Sequence, residues 1–352
     1  MKTPLALVLT FALAGSLVVA QQTAVTLEAA VKTAFARGAD LASSAQSLQT
    51  AQDDLRVAQA DPTTLAVAMT QARQGVALAQ AQLNNSRITV MGNVSTAYLN
   101  LYEAQQNLEI LNAQVALDSR NLDVAKAKLA QNNGTALDVR KAETTLATSR
   151  QNLANGKAQL PTLSNRLEVL LGSDLKGDLT VADPPAYKEV KVDLAALEKG
   201  LDANLPSVLQ SAQGVELQTL NVKLADNDYT PANTLSDAKS ALSSAQRTLD
   251  TARKNAVTTL RDAARNVTAT LESVKIAQTS LQNDNDSLKQ DQQRFKNGSI
   301  SRVQLQTSEL TVLRSQYAVA QAQDNYTKAL NTLSGAAGVD VTGMVARIGG
   351  GS

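Results

Sequence analysis

Apolar residues recur every seven positions along most of this chain, and they do so in two separate series. In the first half, Val94, Leu101, Leu108, Val115, Leu122 and Leu129 form one series. Ala97, Ala104, Leu111, Asp118 and Ala125 lie three residues after its first five members. In the second half, Leu260, Val267, Val274, Leu281, Leu288 and Phe295 repeat the pattern, followed at the same spacing by Ala263, Thr270, Ala277, Asp284 and Asp291. A sustained a/d seam of this kind predicts long helices that each need a partner along their length. The first runs from about Thr64 to Gln131, about 100 Å at 1.5 Å per residue. Its return helix carries Val139, Leu146, Leu153, Leu160 and Leu167 and stops at Gly172. Pro161 is predicted to kink or break that helix. Asp118 reads as a solvated position at the seam edge, the other reading being a pore-facing acid.

The outbound and return helices meet at sharp turns, Asn132–Asn133–Gly134–Thr135 and Lys296–Asn297–Gly298–Ser299, spaced 164 residues apart (298 minus 134). Asn-Gly allows each outbound helix to end on a left-handed residue, and Thr135 and Ser299 are placed to N-cap the return. Shorter helices precede each hairpin. In the first half these run from Thr26 to near Gly38 and from Asp40 to Ala60, ending in an Asp61–Pro62–Thr63–Thr64 turn. In the second they run from Leu194 to Leu201 and from Pro206 to Ala225, ending in an Asp226–Pro231 turn. The chain therefore divides into a first repeat over 21–172, a connection over 173–192, a second repeat over 193–336 and a flexible tail over 337–352. Gly177, Pro184, Pro185 and the alternating Leu179–Thr180–Val181 predict a loop with one short strand in the connection. The fold class is all-α, with long antiparallel coiled-coil helices in two tandem structural repeats.

Residues 1–20, MKTPLALVLTFALAGSLVVA, read as a signal peptide. Lys2 precedes an apolar Leu5–Leu13 run, with small residues before a cleavage site at Gln21. This predicts that the chain is exported to the cell envelope. With no Cys and no His, the chain offers no thiol nucleophile, no imidazole base and no Cys/His metal site. It also carries no phosphate-binding or nucleophile-elbow motif, so it reads as a non-enzyme without cofactors. A net charge of +1, from 33 basic and 32 acidic residues in no basic cluster, argues against nucleic acid. An aromatic share of 3% with no Trp suits thin helices packed through small residues.

The duplicated plan resembles the outer membrane efflux protein family, the TolC-like exit ducts of bacterial efflux and type I secretion pumps. The Thr26–Leu27–Glu28–Ala29–Ala30 opening, Ala97–Tyr98–Leu99, both Asn-Gly tips and the Glu168–Val169–Leu170–Leu171–Gly172 ending carry the likeness. The resemblance implies a homotrimer whose helices form an α-helical barrel. It implies tips, here Asn133, Gly134, Thr135, Asn297, Gly298 and Ser299, that meet a periplasmic adaptor. It also makes Asp284, Asp286 and Asp291 candidate pore-constriction acids. The departure is in the turns. Family members insert two strands between the second and third helices of each half to build a membrane barrel. A membrane strand needs about 9–11 alternating residues; residues 61–64 and 226–232 supply turns instead. Little or no β-barrel is expected, which leaves room for a separate outer-membrane component. Two readings follow: a trimeric duct subunit for small molecules or proteins, or a barrel-less envelope structural protein whose helices close into a bundle without transport.

Overall fold

The computed structural model describes residues 24–172, 179–181 and 187–349. The expected export signal at 1–20, much of the 173–192 connection and the last three residues lie outside them. Strand β1 (Ala24–Val25) leads into helices α1 (Leu27–Arg37), α2 (Ala39–Ala60), α3 (Ala66–Ala130) and α4 (Ala136–Leu171). Strand β2 (Thr180–Val181) follows, then α5 (Leu194–Asn204), α6 (Pro206–Ala225), α7 (Ala232–Lys296), α8 (Arg302–Ala337) and α9 (Met344–Gly349). The two strands pair in parallel, Ala24 with Thr180 and Val25 with Val181.

Both long helices have 65 residues and both return helices have 36. The repeat distance is 166 (232 minus 66, and 302 minus 136), not the 164 expected from aligning the two glycines. The correct register pairs Val94 with Leu260 and every later seam position in turn.

Packing orders the helices in an arc. Towards the hairpin tips the sequence of neighbours is α4–α3–α8–α7; at the opposite end it is α2–α3–α6–α7. Gln74 of α3 bonds Gln213 and Glu216 of α6 at 2.8–3.1 Å, fixing the upper contact between the repeats. Among the described residues, α4 and α7 form the two free flanks of the lower arc.

Burial is concentrated at the waist, where α1 and α5 wedge onto the long helices. The first core gathers Leu27, Val31, Met91, Val94, Tyr98, Leu101, Leu167 and Leu171. The second gathers Leu201, Val208, Leu260, Val267, Val274, Tyr326, Leu330 and Leu333. Each core ties down a neighbouring strand or loop through one tyrosine. Tyr98 Oη donates to the Val25 carbonyl at 3.1 Å, and Tyr326 Oη accepts from the Val190 amide at 2.9 Å.

Three expectations are corrected. Helix α4 runs unbroken through Pro161. That residue is exposed, so the carbonyl it leaves unpaired stays open to water, while Leu160 and Leu163 beside it pack on the first core. Residues 338–349 are not a loose tail. Asp340 accepts from the amides of Thr342 and Val345 at 2.8 and 2.7 Å, and Met344, Val345 and Ile348 of α9 pack on the first core. The chain end therefore crosses from the second repeat to the first. Finally, α3 starts at Ala66 and not near Thr64; Thr63 bonds Asp61 within the turn, and Leu65 stands at the cap.

Helix α8 ends at Gly338 with φ 69°, where an added Cβ would meet the Asn204 carbonyl oxygen at 2.5 Å. Only glycine fits this closure of α8 against the end of α5. Gly338→Ala is expected to cost about 2–4 kcal/mol, from left-handed strain and overpacking together. Gly335→Ala, three residues earlier with no atom in reach of its Cβ, is expected to stabilise by about 0.5–1 kcal/mol. Urea unfolding of the two variants measures the contrast.

Candidate functional site

The two hairpin tips lie at the same end of the molecule. Arg314 Nη2 of α8 reaches Gln114 Oε1 of α3 at 2.7 Å, setting the last turns of α3 beside the first turns of α8. Asn133, Thr135, Asn297, Gly298 and Ser299 are exposed, and Gly134 is half-buried.

Each tip is a six-residue closure followed by a capping box, but the left-handed residue differs. In the first tip it is Asn132, with φ 56°, and not Gly134; Asn133 N then bonds the Lys128 carbonyl at 2.8 Å. In the second it is Gly298, with φ 69°, and Ser299 N bonds the Arg294 carbonyl at 2.7 Å. Asn132 and Gly298 are 166 apart, so they are the true counterparts. The same shift moves the second N-cap from the expected Ser299 to Ser301. Asparagine tolerates the left-handed region through its short polar side chain, which is why either residue serves.

The caps differ in chemistry. Asp138 Oδ2 accepts from Thr135 N at 2.9 Å and Thr135 Oγ1 at 2.7 Å, while Asp138 N bonds Thr135 Oγ1 at 3.2 Å. In the second tip, Gln304 Oε1 accepts from Ser301 N at 2.8 Å. The Thr135 side chain, then its amide, hold the Asp138 carboxyl below its ordinary range. Arg302 lies over the Phe295 ring, 5.7 Å from its centre, and braces the second tip.

The three candidate acids occupy different surroundings. Asp291 Oδ2 accepts from Ser308 Oγ at 2.6 Å, and Asp284 accepts from Ser315 Oγ. These two bonds, seven residues apart on each helix, are rungs inside the α7–α8 hairpin. Asp286 is on the outside, paired with Lys289 at 2.8 Å.

Asp118 is not a solvated edge position. It is 5% exposed, and both its oxygens accept from Gln114 Nε2 at 3.0 Å. It is also the counterpart of Asp284 (118 plus 166), as Ser149 is of Ser315. With Arg314 bonded to Gln114, a polar relay runs Asp118–Gln114–Arg314 from the first repeat to the second. An open groove of about 880 Å³ flanks it, bordered by Leu137, Arg140 and Lys141. Gln114 and Arg314 escaped the reading of the sequence because they lie off the heptad seam. The signal that could have found them is a second stripe on α8, Leu310, Arg314, Tyr317, Gln321, Asp324 and Lys328, at three- and four-residue steps.

A family model described as "Outer membrane efflux protein" matches residues 64–173 and 230–339, two segments offset by the same 166. The chain is similar to a probable efflux pump outer membrane protein, SepC, and to a toluene efflux pump outer membrane protein, TtgF, both of Pseudomonas putida. It is 28% identical to each over 166 residues, which is 46% of this chain and 34% of each relative. The match thus spans about a third of the length of these curated relatives. Among solved structures, CusC superposes with a TM-score of 0.66 at 14% identity, over 90% of this chain and 96% of that one. The Campylobacter jejuni CmeC outer membrane channel gives 0.65 at 13% identity, over 92% and 89%. VceC of Vibrio cholerae gives 0.63 at 15% identity, over 90% and 96%. At these identities the likeness is one of fold.

The unequal caps predict unequal acid sensitivity. Because the folded-state pKa of Asp138 is depressed, its contribution is present above its unfolded value of 3.8 and lost as pH falls through the lower folded value. Gln304 does not titrate. Amide protection at Thr135 and Asp138 is expected to fall on acidification below pH 4, with Ser301 and Gln304 unchanged. Hydrogen exchange followed by NMR reads both tips in one sample. Thr135→Ala is expected to cost the first tip about 1 kcal/mol at neutral pH.

Proposed function

The chain belongs to the outer membrane efflux protein family, and from that premise we propose that it is a subunit of a trimeric helical duct. The duct exports small molecules or proteins and docks a periplasmic adaptor through its hairpin tips. The observation that carries this reading is the open arc. Helices α4 and α7 are the flanks of the lower arc, and each has a packed neighbour on one side only. An arc with two unlike free flanks associates head to tail, flank α4 of one copy on flank α7 of the next, and closes into a ring when the rotation allows. A closed monomeric bundle would need α4 and α7 packed together within one chain.

Exposed apolar residues fit the same reading. Val124, Leu129 and Leu137 cluster towards the tips, and Val57, Leu65, Leu224 and Tyr229 cluster at the opposite end. In the proposed assembly the first group adjoins the adaptor seat formed by Asn133, Gly134, Thr135, Asn297, Gly298 and Ser299. The second group marks the end that meets the outer membrane or a separate component seated in it. Asp61–Leu65 and Asp226–Pro231 join the helices there directly, without strands, and no described helix is long and apolar enough to cross a membrane. Of the acids near the tips, Asp286 is the one we assign to the lumen, since Asp284 and Asp291 are engaged by serines within their own hairpin.

Light scattering of the purified chain tests the assembly. A mass three times that of one 37.0 kDa chain is expected. A monomer under all conditions sinks the duct and leaves a structural role. With the trimer in hand, Asn133→Glu combined with Asn297→Glu is expected to abolish export in cells while leaving the trimer mass unchanged. Efflux of a fluorescent dye provides the readout.

A further inference from the structure

The contact between α3 and α8 holds the two repeats together below the waist, and at its centre lies an unbalanced set of charges. Asp324 of α8 is 3% exposed, and its Oδ2 is buried with no hydrogen-bond partner among the described residues. Across the seam, Glu103 of α3 takes Lys328 Nζ at 2.9 Å, and the same ammonium reaches Asn100 Oδ1 at 3.2 Å. The Glu103 charge acts against ionisation of Asp324, and Lys328, four residues further along α8, acts for it. A buried carboxylate with an unpaired oxygen is costly to keep ionised, and a bound proton removes that charge. One lysine also cannot neutralise both the buried Asp324 and the half-buried Glu103.

We propose that Glu103 and Asp324 form a proton-binding site that locks the α3–α8 seam, and that losing the proton as pH rises loosens the two repeats from each other. This inference does not rest on the duct reading; it concerns a contact within one chain, and its test reads that contact.

The surroundings restrict what else can titrate. On α8, the charged neighbour is Lys328, and the Tyr317 phenol, about two turns back along the helix, has its own ionisation pushed up by burial and by the two acids. On α3 the facing groups are Glu103 and the uncharged Asn100. Helix α7, on the other flank of α8, turns Val267, Leu271 and Val274 into the second core, while its Glu272 and Lys275 are exposed and paired with each other. The nearest other cation along α8 is Arg314, about 15 Å away at ten residues' rise, and it is engaged by Gln114. Burial first, then the Glu103 charge, push Asp324 up to about 7, with Lys328 acting in the opposite direction. The site therefore changes state near neutrality.

The sign follows from linkage. An acid whose folded-state pKa is raised gives the folded state more bound protons than the unfolded one. Stability then falls as pH rises from about 4 towards 7 and levels off above that.

The chain has no cysteine of its own, so a pair introduced at exposed positions, Glu109→Cys on α3 and Asn325→Cys on α8, labels the seam uniquely. Spin-label distances in the full chain are measured between pH 5 and pH 8.5. The distribution is expected to lengthen and broaden with a midpoint near 7. Added to that pair, Asp324→Asn or Glu103→Gln is expected to hold the short distance at every pH. The thermal midpoint of the parent is expected to drop by several degrees over the same interval relative to Asp324→Asn. A seam distance that does not change with pH, or one that changes equally in both variants, overturns the proposal. Should Asp324→Asn fail to fold, Glu103→Gln carries the test alone, because it removes the second acid while leaving Lys328 to pair with Asp324.

Discussion

Everything in this fold depends on one packing event made twice: an 11-residue helix wedged against the middle of a 65-residue one. A helix of that length with a single apolar stripe cannot bury itself. Its partner, the return helix, is 36 residues long and covers little more than half of it. The uncovered half needs α2 or α6, and the junction between those two coverings would be a gap. Helices α1 and α5 fill that gap, with Leu27, Val31 and Leu201 buried to 5% exposure or less. Each fully buried aliphatic side chain contributes about 1.5–3 kcal/mol, so the waist holds most of the apolar stabilisation. The closures that end the return helices sit in the same place: Gly172 lies against Arg37 at the end of α1, and Gly338 against Asn204 at the end of α5. The chain's two halves are thus joined at the level where each is best packed.

Away from the waist the seams grow polar, and this has a consequence for register. In the α7–α8 hairpin, Asp284–Ser315 and Asp291–Ser308 replace apolar layers near the tip. A polar pair in a coiled-coil seam costs stability and rewards a single alignment, because slipping by one turn would leave half-buried acids without donors. The first hairpin has Asp118 and Ser149 at the corresponding level but uses them differently. Asp118 turns to Gln114, and through it to Arg314 on the other repeat. The duplication is therefore broken where the repeats touch, and the residues that break it are those that join them.

The sequence made the long seams legible because a seven-residue period held over six successive positions leaves no competing interpretation. It made the tips legible for the same reason, since Asn-Gly between two periodic stretches is turn chemistry. What it concealed was which residue of each tip takes the left-handed conformation. Aligning Gly134 with Gly298 is natural when glycine is the better left-handed residue, and it misplaces the repeat by two. The heptads, which align Val94 with Leu260, give the right answer from longer-range information. Pro161 misled because its local penalty is outweighed by the packing of Leu160 and Leu163 beside it on the first core, with the freed carbonyl left to water. The α3–α8 stripe was missed because it is a second face on a helix whose first face already satisfied the pattern. Finally, the ordered segment after Gly338 depends on Asp340 bonding three later groups, a local closure with no periodic signature.

The distribution of exposed apolar residues then bears on how far one chain is a finished object. Scattered singly, such residues mean nothing. Among the described residues, seven of the nine large ones, Val57, Leu65, Val124, Leu129, Leu137, Leu224 and Tyr229, fall near the two ends, the others being Val169 and Ile276. Tyr229 is 97% exposed at a turn where Asp226 and Asp228 could have been followed by another polar residue. A lone arc of helices gains nothing from apolar ends, and a stable monomer would be expected to shed them. An arc whose flanks are closed by further copies changes the balance, since each apolar end is then multiplied around a ring and becomes a rim. Two rims of that kind, one with turn chemistry tuned by Asp138 and Gln304 and one with direct five- and six-residue connections, are what the proposed duct would present to two different neighbours along its long axis.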